Sequence, residues 1–224
     1  MTHSHSIPRN IEVLSLVSRS SSSLQSLSLC GSTSFNDLER PLLRDQNFFG
    51  LSVITAPESF FLQSGLCLQS HPSVVDLSVY DIFKREILID LIIRSFTNLR
   101  RLELAYCSGM DVVRLIQSLP YLSQIVLVSG LVRCIDGSQL MKVLEQRASS
   151  QPVKLILEKG MENIVFDHSI IPGSENMGLD ERHQALWEYF RSATRGRVEL
   201  SESWELKLLS NERGPEYANM VVSI

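Results

Sequence analysis

One hydrophobic phrase returns along this chain at a near-constant interval, and few folds can accommodate that. Leu-x-x-Leu-x-Leu stands as Leu24-x-x-Leu27-x-Leu29, Val74-x-x-Leu77-x-Val79, Leu99-x-x-Leu102-x-Leu104 and Leu122-x-x-Ile125-x-Leu127. The last three copies begin at 74, 99 and 122, spacings of 25 and 23 residues. The first gap, from 24 to 74, is 50 residues long and has room for one degenerate copy, with Phe48-x-x-Leu51-x-Val53 near its middle. A unit this short cannot bury its apolar face alone, so it must stack on its neighbours. Within each phrase the Leu-x-Leu alternation sends one set of side chains to each face of a strand.

The segments between the phrases carry a helical period instead. From Gly109 to Leu119, Val112, Leu115, Ile116 and Leu119 follow the i, i+3, i+4, i+7 spacing of one buried stripe, with Asp111 suited to the start and Pro120 to the stop. Residues 82–96 repeat the theme with Ile89, Ile92, Ile93 and Phe96, and 140–148 with Leu140, Val143 and Leu144. Strands are expected at 98–105 and 121–128 between these helices. Strand, turn and returning helix every twenty-odd residues define an α/β leucine-rich-repeat solenoid, with a curved parallel sheet inside and helices outside.

The organisation that follows is a disordered terminus at 1–9, about five to six repeats over 10–160 and a C-terminal cap at 161–224. Residues 11–17 form a helix, and the serines from 18 to 23 a polar turn into the strand at Leu24. Residues 33–69, rich in Phe and broken by Pro41 and Pro57, hold either an irregular repeat or an insertion. A final strand is expected at 152–157, loop over 164–177, and an amphipathic helix over 179–194 stopped by Gly196. Val198-x-Leu200 and Trp204-x-Leu206-x-Leu208 alternate like strands, and both tryptophans are expected to pack inside the cap.

The bulk chemistry narrows the function classes. A net charge of −4 offers no basic stripe for nucleic acid. No apolar run approaches the length of a bilayer span, and no cationic leader precedes an apolar core at the amino terminus. Four cysteines, Cys30, Cys67, Cys107 and Cys134, are widely spaced and read as small buried hydrophobes in a reducing cytoplasmic or nuclear setting. Phosphate loops, nucleophile elbows and His-Glu-x-x-His helices are missing from the sequence, so no catalytic residue, metal site or cofactor is assigned. His71, directly before Pro72, reads as a turn residue rather than a base. Asp180 and Glu181 read as first-turn partners of a helix dipole.

The x positions beside the buried leucines point outward from the sheet, and they form the candidate partner-binding surface: Asp76, Ser78, Tyr80, Arg100, Arg101, Glu103 and Gln124. Ser26, Ser28, Val126 and Val128 extend the same rows. Arg and Tyr are residue types that concentrate binding energy.

The phrases Leu68-Gln-Ser-His-Pro-Ser-Val-Val-Asp-Leu-Ser-Val79, Asn98-Leu-Arg-Arg-Leu-Glu-Leu104 and Tyr121-Leu-Ser-Gln-Ile-Val-Leu127 resemble the repeat portion of fungal F-box/leucine-rich-repeat proteins, over roughly residues 10–160. The helix–turn–strand phrase from Ile11 to Leu29 and the helix from Leu140 to Arg147 resemble the same family. The resemblance implies substrate recruitment to a cullin-type ubiquitin ligase, with the F-box holding a Skp-type adaptor and the repeats holding a protein substrate. The repeat pattern here already runs at residue 11, so no F-box is visible and no adaptor-binding residue carries over. Two other readings stand beside this one: an adaptor-independent scaffold or inhibitor, and an enzyme housed in the tail around His168, His183 and Trp187.

Overall fold

The helical and extended periods separate into elements as expected, and the main chain then ties them together at fixed intervals. The computed structural model describes residues 10–29, 43–82, 85–105, 109–128, 134–148, 151–158, 162–166, 170–173, 176–195, 197–200 and 204–208. The chain divides into two compact units, Met1–Ala105 with Ser118–Leu122, and Tyr106–Gln117 with Ser123–Ile224.

The first unit holds α1 (Asn10–Arg19), β1 (Ser26–Ser28), β2 (Val53–Pro57), α2 (Glu58–Gln63), a 3-10 turn at Leu66–Leu68, β3 (Asp76–Tyr80), α3 (Arg85–Ser95) and β4 (Arg101–Leu104). Its four strands run parallel in chain order, in the register Ser26↔Val53↔Asp76↔Arg101. Leu27, Ile54, Leu77 and Leu102 consequently fall in one buried row, with Ala56, Val79 and Leu104 in a second. Parallel neighbours need a crossover, and α2 and α3 supply the two between β2 and β4.

Each unit of the pattern hands its backbone to the next in the same way. Gln25 O accepts from the amides of Ser52 and Val53, Ser52 O from Val75 and Asp76, and Val75 O from Arg100 and Arg101. Side chains add a second set of ties: Ser52 Oγ donates to Gln25 O at 3.1 Å, Ser73 Oγ to Phe48 O at 3.1 Å and Asn98 Nδ2 to Pro72 O at 2.9 Å. Turn carbonyls that would otherwise lack partners are thereby satisfied by the following unit.

The degenerate copy sits three residues later than expected. Leu51, Ile54 and Ala56 are fully buried and aligned, whereas Val53 lies in the outward row. Phe48 is buried too, but beneath the turn, with its ring 6.0 Å from that of His71. The described part of 33–69 thus supplies β2, α2 and the 3-10 turn to this sheet and core. In α3, Leu88 joins Ile89, Ile92 and Phe96 inside, and Ile93 is only half-buried. Phe60, Phe61 and Phe96 meet edge to face beneath the sheet, with centroids 5.4 and 6.2 Å apart. Asp81 closes β3 with φ of 52°, a left-handed conformation that Asp tolerates better than most residues.

The second unit holds α4 (Gly109–Ser118, whose last residue belongs to the first), β5 (Gln124–Val128), β6 (Cys134–Asp136) and α5 (Gly137–Ala148), followed by β7 (Lys154–Glu158), β8 (Glu162–Phe166), α6 (Leu179–Thr194), β9 (Val198–Leu200) and β10 (Trp204–Leu208). Its strands alternate between two parallel triplets, β5-β7-β9 and β6-β8-β10. Registers Gln124↔Lys154 and Cys134↔Asn163 step by nearly the same amount, as do Leu155↔Val198 and Asn163↔Glu205. A strand–strand–helix unit therefore recurs here, and β9 and β10 extend both triplets.

Three expectations are corrected in this unit. The stretch expected as loop from 164 begins inside β8, because Glu162–Phe166 pairs on both sides. Trp187 is 39% exposed rather than packed inside, with Leu186, Phe190 and Thr194 facing the core instead. The stop of α6 is made by Arg195, left-handed at φ 51°, while Gly196 lies outside the described residues, as does the side chain of Trp204. Asp136 Oδ1 caps α5 by accepting the Gln139 amide at 3.0 Å.

Candidate recognition surface

The alternation that buries Leu27, Ile54, Leu77 and Leu102 turns the intervening residues outward in rows. In the first unit one row reads Ser26, Val53, Asp76, Arg101 and the next Ser28, Thr55, Ser78, Glu103, followed by Pro57 beside Tyr80. Strand neighbours in such a row stand about 4.8 Å apart, close enough for side chains to bond across.

Arg101 is the centre of the charged end. Its Nη1 donates to Asp76 Oδ1 at 3.0 Å across the strand pair, and its Nη2 to Glu103 Oε2 on its own strand. Glu103 Oε1 accepts from Ser78 Oγ at 3.3 Å, so two strands share one network. Burial opposes the charge on Arg101, but the bonds and ionic attraction of Asp76 and Glu103 outweigh it and hold the guanidinium above its ordinary pKa. The three side chains are 30–36% exposed, which leaves them within reach of a partner. Tyr80 reaches over β2, and its hydroxyl donates to Leu29 O, so its ring is held in place before anything binds.

The structure thus brings Asp76, Ser78, Tyr80, Arg101 and Glu103 onto one face. Arg100 stands apart from the Arg101 network: it precedes β4 and is exposed, with its amide donating to Val75 O. Gln124, half-buried on β5 beside Lys154, belongs to the second unit. Val126, expected outward, is buried at 4% exposure. Val53 and Thr55 are outward residues that the reading of the sequence missed. Spacing gave no signal for them, since a copy at 48 divides the gap from 24 to 74 into 24 and 26, more evenly than the 27 and 23 of a copy at 51.

Groups of residue types that serve catalysis elsewhere are absorbed by the fold here. His71 is buried; Leu66 O lies 2.8 Å from its Nε2, and its amide donates to Ser95 O, so it ties the 3-10 turn to the end of α3. Cys67 is buried beside Ser95, whose hydroxyl donates to the Cys67 carbonyl at 2.9 Å, and burial pushes its thiol up to about 12. In the second unit a depression of about 260 Å³ is lined by Glu145, Tyr189, Arg195 and Arg197 among others. Arg197 is committed there to the carbonyls of Leu144 and Thr194. His168 and the side chain of His183 lie outside the described residues. Among the described residues, no three metal-binding side chains cluster and no helix is long and apolar enough to cross a membrane.

No family model matches this chain, and no curated protein and no solved structure is significantly similar to it.

Proposed function

We propose that this protein is a leucine-rich-repeat recognition module that grips a protein partner on the outward face of β1–β4 and performs no catalysis. The observation that carries this reading is the constant parallel register, which stacks a half-exposed ion-pair network and an anchored tyrosine on a rigid sheet. Rigid presentation lowers the ordering cost of binding, and Tyr and Arg are the residue types that anchor interfaces. The repeated backbone ties and the buried row Leu27–Ile54–Leu77–Leu102 support the solenoid. The most specific version, suggested by the family resemblance, is substrate selection for a cullin-type ubiquitin ligase in the cytoplasm or nucleus. The Skp-type adaptor then depends on an F-box, and an adaptor-independent scaffold or inhibitor is the runner-up.

The test is selection of a displayed random-peptide library on the full chain, followed by affinity measurements on two variants. Ser78→Arg places a bulky group in the outward row, whereas Ile87→Lys alters α3, where Ile87 is 54% exposed. Selected peptides should lose at least about tenfold on Ser78→Arg and bind Ile87→Lys normally, both variants keeping the wild-type melting curve. Peptides indifferent to Ser78→Arg would show that recognition lies elsewhere.

A further inference from the structure

The outward face has a charge bias that its hydrogen bonds make directional. Among the described outward positions of β1–β4 the ionisable carboxylates are Asp76 and Glu103, and the one cation is Arg101. Both terminal amino groups of Arg101 are committed, one to each carboxylate, so its charge is already answered. Both Glu103 oxygens also carry donors, from Arg101 and Ser78, whereas Arg101 meets Asp76 on Oδ1. One negative charge is left over, centred on Asp76, which is 33% exposed at the side chain. An incoming carboxylate would meet two carboxylates and an engaged guanidinium, while an incoming cation would meet the surplus charge. Apart from Arg101 on β4, the neighbours around Asp76 are uncharged: Val53 on β2, and Ser78, Thr55 and Tyr80 along the face.

Building on the recognition reading above, we propose that this face accepts an extended peptide segment of a protein partner through a lysine or arginine side chain seated at Asp76. Four strands span about 14 Å at the usual parallel spacing, the length of about four extended residues. The cation pairs with Asp76 while the flanking backbone lies on the hydroxyls of Thr55 and Ser78 and against the Tyr80 ring. Arg101 acts here as a positioning residue, since it orients Asp76 and screens Glu103.

The experiment uses the isotope-labelled full chain and three blocked tetrapeptides, Gly-X-Gly-Gly with X as Lys, Gln or Glu, followed by backbone amide shifts. The Lys peptide should move the amides of Ser78, Tyr80, Arg101 and Glu103 saturably. The Gln peptide should bind about three- to fivefold more weakly, the scale of one half-exposed ion pair, and the Glu peptide should leave these amides still. Asp76→Asn should bring the Lys and Gln affinities together, and raising the salt concentration should narrow the gap in the wild type. Equal or stronger binding of the Gln or Glu peptide on these amides would overturn the charge preference while leaving recognition by this face intact. Shifts confined to other residues, or none, would also overturn it; the Ser78→Arg library result then judges the recognition reading by itself.

Discussion

Leu77 offers the sharpest test of the stacked register. It is completely buried in β3, with Ile54 beside it on one strand and Leu102 on the other. Leu77→Ala removes three carbon atoms, each worth about 0.8 kcal/mol when buried, so the transfer loss is about 2.4 kcal/mol. The two flanking side chains cannot close the gap freely, because β2 and β4 are held to β3 by their own main-chain ladders. A residual cavity adds about 24 cal/mol per Å³, which brings the expected loss to about 3–4 kcal/mol. The assay is urea unfolding followed by far-ultraviolet circular dichroism; both tryptophans belong to the second unit, so their fluorescence would not report on this one. Thr55→Ala, in the outward row of the same sheet, is the control and should stay within about 0.5 kcal/mol. A loss below about 1 kcal/mol for Leu77→Ala, or an equal loss for Thr55→Ala, would refute the alternation and the register with it.

Other consequences can be measured on the same protein. Burial lowers the His71 pKa below its ordinary value of 6.5, with the bond to Leu66 O opposing in part. The unfolded chain then takes up the proton first, so stability is full above about pH 6.5 and falls as the pH drops below it. Urea midpoints at pH 7.5 and 5.5 should differ more for wild type than for His71→Gln, and equal slopes would exclude His71 as the cause. Cys67, buried and with its thiol pushed up to about 12, should resist alkylation in the native protein and react readily in urea, as read by mass-spectrometric mapping. A Cβ at Gly137 would lie 2.3 Å from the Phe166 ring, which is itself packed against Tyr189 and Phe190. Gly137→Ala should therefore lower stability by about 1–3 kcal/mol despite alanine's better helix propensity, and a rise in melting temperature would contradict that packing. Arg101→Ala should cost less than about 1 kcal/mol in stability, because its ion pairs are partly solvated.

The alternation of leucines around residues 77, 102 and 125 was enough to expose the period, the buried rows and most helices, because burial on one face is a local property of strand or helix geometry. Glu103 and Arg101 could likewise be placed on one face from their spacing alone. The phase of β2 could not: Phe48, Leu51, Val53, Ile54 and Ala56 are all apolar, so two settings three residues apart satisfied the same phrase. Parallel pairing with β1 and β3 chose between them, and the choice turned Val53 outward and Ile54 inward. The three-residue β6 carries too few residues for a local signal, and it and β8 are held by distant pairing: Cys134 and Glu205, 29 and 42 residues away, each stand against Asn163. The Asp76–Arg101 pair likewise joins residues 25 apart. Residue type and period determined most of the side chains that would be buried; the pairing of distant strands decided the phase of β2 and which polar side chains would meet, since a hydrogen-bond register is set between strands and not within them.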